Sequence, residues 1–279
     1  MKLLVTGSLG LVGTNIIPLL AHDFDIVALD IEEWDITNFD MGVRVLQKYK
    51  PDAVVNLAAM TDVDGCEDLP DRARELNSDG PATVAELCKV NNVLLVHFST
   101  DYVFDGEKGT PYTEKDIPNP ASVYGKTKLS GERNVLRILP SSIVLRAQWL
   151  YGRGGNNFIT KVVKIANETG AARVVDDQWG SPTYARDIAA PLIRLIQKGR
   201  SGIYHVANRG SCSWYEFARE IFAALHMDIP LAPVTSSTLG RKATRPRYSV
   251  FDCSKIESDT GVAMRSWQEA LGEYLAGPR

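Results

Sequence analysis

The first thirteen residues constrain the fold of this chain more than any other stretch. Lys2-Leu-Leu-Val-Thr6 is a short apolar run of the kind buried on both faces of a parallel sheet. It leads into Gly7-Ser-Leu-Gly10-Leu11-Val12-Gly13, and the apolar periodicity from Asn15 to Leu20 then predicts a helix. Strand, glycine loop and helix in that order make a phosphate-binding turn. Gly7 permits the sharp turn, Gly10 lets the backbone approach a pyrophosphate, and Gly13 lets the helix pack close to the strand. The anion sits at the helix N-terminus, where free N–H groups and the dipole favour negative charge. The spacing is G-x-x-G-x-x-G, not G-x-G-x-x-G, so a glycine turn without a ligand stays open as the alternative.

A second apolar run, Ile26-Val-Ala-Leu29, ends in Asp30, seventeen residues after Gly13. A carboxylate at this strand end accepts hydrogen bonds from the ribose hydroxyls of an adenosine. It would repel a 2′-phosphate, and Glu32 and Glu33 follow with no arginine nearby. These residues favour NADH, with NADPH left open. A solvated strand-end carboxylate is the plainer reading of Asp30.

Further apolar runs alternate with helical stretches. Ala53–Ala59 precedes a helix around Ala82–Lys89, and Leu94–Phe98 precedes a helix carrying Tyr124, which leads to Ile143–Arg146. This alternation predicts an α/β fold, a Rossmann-like doubly wound parallel sheet covered on both faces, with ligands beyond the carboxyl ends of the strands. Residues 1–150 read as a dinucleotide-binding domain, rejoined by part of 183–207. Residues 151–279 read as a smaller, interleaved α/β substrate-binding region. Within it, helices are expected over Asn157–Ala166, Tyr184–Lys198 and, from a capping box at Ser213-Trp-Tyr-Glu216, through about Leu225. Pro230–Pro246 reads as loop-rich.

Composition narrows the functional classes. A net charge of −3, with no Lys/Arg tract, argues against a nucleic-acid binder. No run of eighteen apolar residues is present, so no membrane helix is expected. The first strand starts at residue 2 and leaves no room for a signal peptide, so a cytoplasmic location is expected. Cys66, Cys88, Cys212 and Cys253 lack metal-type spacing and read as reduced packing residues. The four histidines are scattered, and no metal site is expected.

The chemistry points to Ser122-Val-Tyr124-Gly-Lys-Thr-Lys128. On a helix, residues i and i+4 share a face, so phenol and ammonium can enter one cleft. A phenol near its ordinary pKa of about 10 donates poorly at neutral pH, and a nearby cation would draw it down. The run Phe98-Ser-Thr100-Asp101-Tyr-Val-Phe-Asp-Gly106 places hydroxyls at the end of the preceding strand.

Together these elements resemble the extended short-chain dehydrogenase/reductase superfamily and, within it, the dTDP-4-dehydrorhamnose reductases. The resemblance rests on the glycine loop, Asn56–Asp64, Ser99–Gly106, Val123–Glu132, Arg146–Tyr151, Gly155–Phe158, Asp177–Thr183 and Arg245–Ser249. It implies hydride delivery to the 4-keto carbon of a nucleotide-linked sugar. Tyr124 would donate the proton, Lys128 would hold the nicotinamide ribose and lower the tyrosine pKa, and Thr100 would polarise the carbonyl. Asp35 and Ile36 would lie beside the adenine, with Ala59, Met60 and Thr61 along the ribose and phosphates. Asp101 and Trp149 would touch the sugar or base, Arg245 the diphosphate, and Asn156 the substrate. Asn156 and Asn157 also read as caps of the next helix, and Trp149 as a core residue. A homodimer is left open. Some relatives place a glutamate early in the first helix for Mg²⁺-assisted dimerisation, and Thr14-Asn15 departs from that pattern. The catalytic trio fits a nucleotide-sugar 4-epimerase or another 4-ketoreductase equally. A non-catalytic regulatory subunit would keep the fold without needing the trio.

Overall fold

The computed structural model describes residues 1–277. The chain opens with strand β1 (Lys2–Thr6), helix α1 (Leu11–Leu20), β2 (Asp25–Ala28), α2 (Phe39–Tyr49) and β3 (Ala53–Asn56). Helices α3 (Val63–Asp68) and α4 (Pro70–Arg74) lead through a π-helical turn, Glu75–Asp79, into α5 (Gly80–Val90). Next come β4 (Leu94–Thr100), α6 (Val123–Ile138) and β5 (Ile143–Ala147). The remainder holds β6 (Leu150–Tyr151), α7 (Phe158–Thr169), β7 (Ala172–Val175), β8 (Trp179–Gly180), β9 (Thr183–Tyr184), α8 (Ala189–Gln197) and β10 (Gly202–Val206). Last are β11 (Cys212–Ser213), α9 (Trp214–Ala224), β12 (Leu231–Val234), α10 (Ser254–Thr260) and α11 (Trp267–Leu275).

Strands β10-β5-β4-β3-β1-β2 lie side by side in that order, every neighbouring pair parallel. This is the expected Rossmann-like α/β sheet. Its strands are apolar throughout because both faces are covered. Leu3, Val5, Val55, Val96 and Leu145 pack against Ile16 and Leu20 of α1 and Leu192 and Leu195 of α8. Their neighbours Leu4, Val54, Leu95 and Val144 point the other way, against Val45 of α2, Val84 and Leu87 of α5 and Val135 of α6. Each fully buried aliphatic side chain contributes roughly 1.5–3 kcal/mol. A separate core formed by α7, α9, α11 and β7 includes Ile159, Val162, Phe217, Ile221, Trp267 and Leu271.

The second half differs in detail from what was expected. The loop-rich stretch Pro230–Pro246 also holds a strand, since β12 pairs in parallel with β7, Leu231 opposite Ala172 and Val234 opposite Val175. This is a two-stranded sheet, so Pro233 sits on an edge where its missing N–H is tolerated. Tyr184–Lys198 is not one helix. It starts with β9 and a 3₁₀ turn over Ala185–Ile188, and α8 begins only at Ala189 with Pro191 in its first turn. The capping box at Ser213 and Glu216 is formed as expected, and Asn157 caps α7 with Thr160 as its reciprocal partner.

Helix α6 is tied to the sheet by a charge pair withdrawn from water. Arg146 of β5 donates to Glu132 through Nε and Nη2, at 2.8 and 2.6 Å, with both side chains at most 2% exposed. The third arm, Nη1, lies 3.4 Å from His205 Nε2. His205 Nδ1 is 3.0 Å from the Tyr112 carbonyl, so Nδ1 carries the proton and Nε2 accepts from arginine. Burial, followed by the Arg146 charge, pushes the His205 pKa down to about 3 and keeps the ring neutral. Removing one partner of such a pair strands the other charge. Arg146→Met is expected to destabilise the fold by about 3–5 kcal/mol in urea titration, and adding Glu132→Leu should recover much of that loss.

Candidate active site

The register of the sheet brings four chain segments to one edge. Thr6 pairs with Asn56, Asn56 with His97, and Thr100 with Ala147. Gly7 and Leu57 therefore leave the sheet at one level, and Asp101 and Gln148 leave the same edge three residues further along. Chain winding reverses between β1 and β3, which is where a crevice opens in sheets of this kind. A cavity of about 570 Å³ occupies it. Gly7, Gly10, Leu11 and Val12 line one end, and Asp30, Asp35 and Ile36 flank them. Ala59 and Thr61 lie between, and Thr100, Asp101, Tyr124, Trp149 and Asn156 line the far end. Of the expected residues, Gly13, Met60, Lys128 and Arg245 do not line this cavity.

The glycine turn is built for close approach. Gly7 has φ +64°, and a Cβ there would sit 2.8 Å from the Ala58 amide nitrogen. A Cβ on Gly13 would run into the Ser8 carbonyl, which accounts for Gly13 lying behind the wall. Helix α1 starts with no side-chain cap and no acidic residue in its first turn. Its positive end is thus left for an anion, and the residues fit a dinucleotide pyrophosphate. Asp30 Oδ2 accepts from the Leu9 amide at 2.9 Å and Oδ1 from the Ile31 amide at 2.9 Å. The carboxylate thereby braces the turn as well as facing the cavity.

Ser122 caps α6 by accepting from the Gly125 amide, and a Cβ on Gly125 would strike the Tyr102 carbonyl. This close approach sets Tyr124 at the end of β4. Its ring meets Tyr102 edge-on, with centroids 5.4 Å apart. Burial pushes the phenol above its ordinary range, and the adjacent Thr100 hydroxyl opposes that rise. Burial is the leading influence on the phenol in this structure. Lys128 Nζ donates to the Phe98 carbonyl at 2.6 Å, and burial lowers its own pKa to about 8, with Glu132 opposing. One of the three ammonium N–H groups is thus committed to the main chain, and desolvation leads among the influences on the phenol. Tyr124 stays protonated through the neutral range, as a proton donor must. Thr100 donates to Asp101 Oδ1 at 3.0 Å, and burial raises Asp101 to about 6.

Asn77, in the π-helical turn, was not singled out by sequence reasoning. Its side chain accepts from the Met60 N–H at 2.8 Å and donates to the Met60 carbonyl at 3.0 Å. Met60 is thus an anchor point and not a cavity residue. A lone asparagine in a polar stretch carries no sequence signal for this role.

A second cavity, of about 730 Å³, adjoins the first through Thr61, Val63, Tyr102 and Asn156. Lys161, Arg173, Arg241 and Arg245 line it, with Phe158 and Trp214. Trp149 stacks on Trp214 with centroids 3.5 Å apart and planes 5° apart, so it is neither plain core nor a lone cavity residue. Arg245 binds Asp64 through both Nη atoms, at 3.2 and 2.8 Å, and this holds the Asp64 carboxyl down at about 2. Only Arg245 of the four cations was expected. The i, i+3, i+4, i+7 face of Phe158, Lys161, Val162 and Ile165 was the available signal for a lined wall.

The family described as "RmlD substrate binding domain" matches residues 1–278. The chain belongs to this family. SpsK, a spore coat polysaccharide biosynthesis protein of Bacillus subtilis, is 40% identical over 98% of this chain and 96% of its own length. Among solved RmlD-family structures, a dTDP-4-dehydrorhamnose reductase of Clostridium acetobutylicum superposes with TM-score 0.96 at 39% identity, covering 99% of both chains. Another, from Bacillus anthracis and in complex with NADP, superposes with TM-score 0.95 at 35% identity, over 99% of this chain and 98% of its own. Among the described residues no helix is long and apolar enough to cross a membrane, and no cluster of three or more His, Cys, Asp or Glu is placed to hold a metal ion.

The lowered Lys128 pKa makes a direct prediction. In ¹³C-labelled protein its Cε resonance is expected to titrate with a midpoint near 8, and Lys128→Met should remove that resonance. The folded pKa lies below the unfolded one of about 10.5, so this group's contribution to stability rises with pH between those values.

Proposed function

We propose that this chain reduces the 4-keto group of dTDP-4-dehydro-L-rhamnose to give dTDP-L-rhamnose, using a reduced nicotinamide dinucleotide. The reading is carried by one observation: a single crevice holds the glycine turn at one end and Thr100 with Tyr124 at the other. The names of the related reductases support the sugar and the nucleotide. A bound dihydronicotinamide would supply the hydride. Leu11 and Val12, at the open N-terminus of α1, would hold the pyrophosphate, with Asp30 at the adenosine ribose.

Thr100 would turn its one hydroxyl proton from Asp101 to the sugar carbonyl oxygen, where negative charge builds as the hydride arrives. Tyr124, kept protonated by burial, would deliver its proton to that oxygen. Lys128 would hold the nicotinamide ribose while its cation stabilises the tyrosinate left behind. In the second cavity, Arg241 and Arg245 would grip the diphosphate, Asp64 fixing the plane of the Arg245 fork. Phe158 and the Trp149/Trp214 stack offer flat apolar faces for the base. The cytoplasm is the proposed location.

NADH is the expected reductant because Asp30 faces the ribose end. The carboxylate already accepts two main-chain N–H groups, which weakens its repulsion of a 2′-phosphate and leaves NADPH a substrate too.

Purified protein incubated with dTDP-4-dehydro-L-rhamnose should oxidise NADH stoichiometrically and yield dTDP-L-rhamnose. Consumption of sugar without loss of NADH absorbance would mark an epimerase instead. Tyr124→Phe is expected to lower kcat by about 10²–10⁴-fold with cofactor affinity nearly unchanged, and unchanged turnover would defeat the assignment. Asp30→Asn should move the NADPH/NADH ratio of kcat/KM toward NADPH by about tenfold, the effect of about 1.4 kcal/mol.

A further inference from the structure

The segment Gly152–Asn157 lies where the two cavities meet, and Asn156 lines both. It is held from two sides by side-chain amides. From the substrate side, Asn157 Nδ2 donates to the Gly152 carbonyl at 2.8 Å. From the cofactor side the grip belongs to Asn15, one turn into α1. Its Nδ2 donates to the Arg153 carbonyl at 2.8 Å, and its Oδ1 accepts from the Arg153 N–H at 2.9 Å. Because the two main-chain groups of Arg153 have opposite roles, only the assigned orientation of the amide satisfies both. The same Nδ2 also donates to the Leu11 carbonyl at 2.7 Å.

Thr14 adds a longer contact to the Arg153 carbonyl, at 3.4 Å. Gly152 meets the amide so closely that a Cβ there would stand 2.7 Å from Asn15 Cγ, Oδ1 and Nδ2. Asn15 is itself 9% exposed. One side chain therefore bonds both the first turn of the helix that faces the dinucleotide and the loop that presents Asn156.

We propose that Asn15 is a positioning residue that couples the two cavities, so that cofactor bound at the α1 N-terminus strengthens nucleotide-sugar binding through the Gly152–Asn157 loop. The proposal rests on the reading above of which ligand occupies which cavity. It assigns Asn15 no contact with the reacting atoms. Coupling of this kind is reciprocal: whatever factor the cofactor contributes to the sugar nucleotide, the sugar nucleotide returns to the cofactor.

The test measures binding without turnover. Calorimetric dissociation constants for dTDP are taken with and without saturating NADP⁺, on wild type, Asn15→Ala, Gly152→Ala and the double variant. In wild type, dTDP should bind about tenfold tighter when NADP⁺ is present, the order expected from two main-chain hydrogen bonds. In Asn15→Ala that enhancement should vanish, with NADP⁺ affinity in the absence of dTDP unchanged. In turnover, KM for the nucleotide sugar should rise about tenfold with kcat retained.

Gly152→Ala should be as damaging as Asn15→Ala, and the double variant no worse than Asn15→Ala alone, since the added methyl then meets no amide. Thermal melting of each variant checks that the fold survives. If Asn15→Ala keeps the enhancement, or weakens NADP⁺ and dTDP equally, Asn15 merely supports α1 and the proposal falls. If wild type binds dTDP but shows no enhancement, the proposal falls while the functional reading stands. If wild type binds no dTDP at all, both fall.

Discussion

The Glu132–Arg146 pair is the interaction on which the placement of the candidate chemistry depends. It joins the middle of α6 to β5 with both charges out of water, so its geometry tolerates little slack. Helix α6 carries Tyr124 two turns and Lys128 one turn before Glu132, and β5 ends beside β4, where Thr100 emerges. The pair therefore fixes the distance between the phenol and the strand-end hydroxyl. Glu132 also faces Lys128 one turn earlier and holds back the fall in its pKa. Burial, aided by the Arg146 charge, keeps His205 neutral, so the cluster carries no uncompensated charge.

Around that anchored helix, buried asparagines keep the cavity walls in place. Asn77 pairs with both main-chain groups of Met60, beyond β3, and Asn15 does the same for Arg153, beyond β6. A carboxamide suits this task because it offers donor and acceptor side by side at the spacing of a peptide group. These loops must follow irregular paths close to a ligand, where no sheet partner can satisfy their polar groups. The asparagines take the place of that partner.

Much of this was legible in the residues. The Lys2–Thr6 run, the three glycines and the β–α alternation imply the sheet, because a strand buried on both faces must be apolar and a helix packed against a turn cannot carry a Cβ at Gly13. The meeting of Thr100 with Tyr124 was readable from their motifs. The pairing of β12 with β7 was not, since Pro230 and Pro233 imitate a loop, and an edge strand escapes the usual penalty. The cationic wall of the second cavity was mostly hidden as well. Lys161, Arg173 and Arg241 lie far apart along the chain and look like ordinary surface charge until α7, β7 and the loop after β12 converge.

The amino-acid order alone settled the architecture and the chemical types present: a turn open to an anion, a phenol, an amine and a hydroxyl. Such properties are local, resting on periodicity and on which side chains a backbone conformation permits. Folding decided the electrostatics. Lys128 gives one of its N–H groups to the Phe98 carbonyl, and desolvation leads among the influences on Tyr124, because both effects depend on what packs around a group in space. The clasp between Asn15 and Arg153 belongs to the same class: its partners stand 138 residues apart, and only the closed fold brings them together.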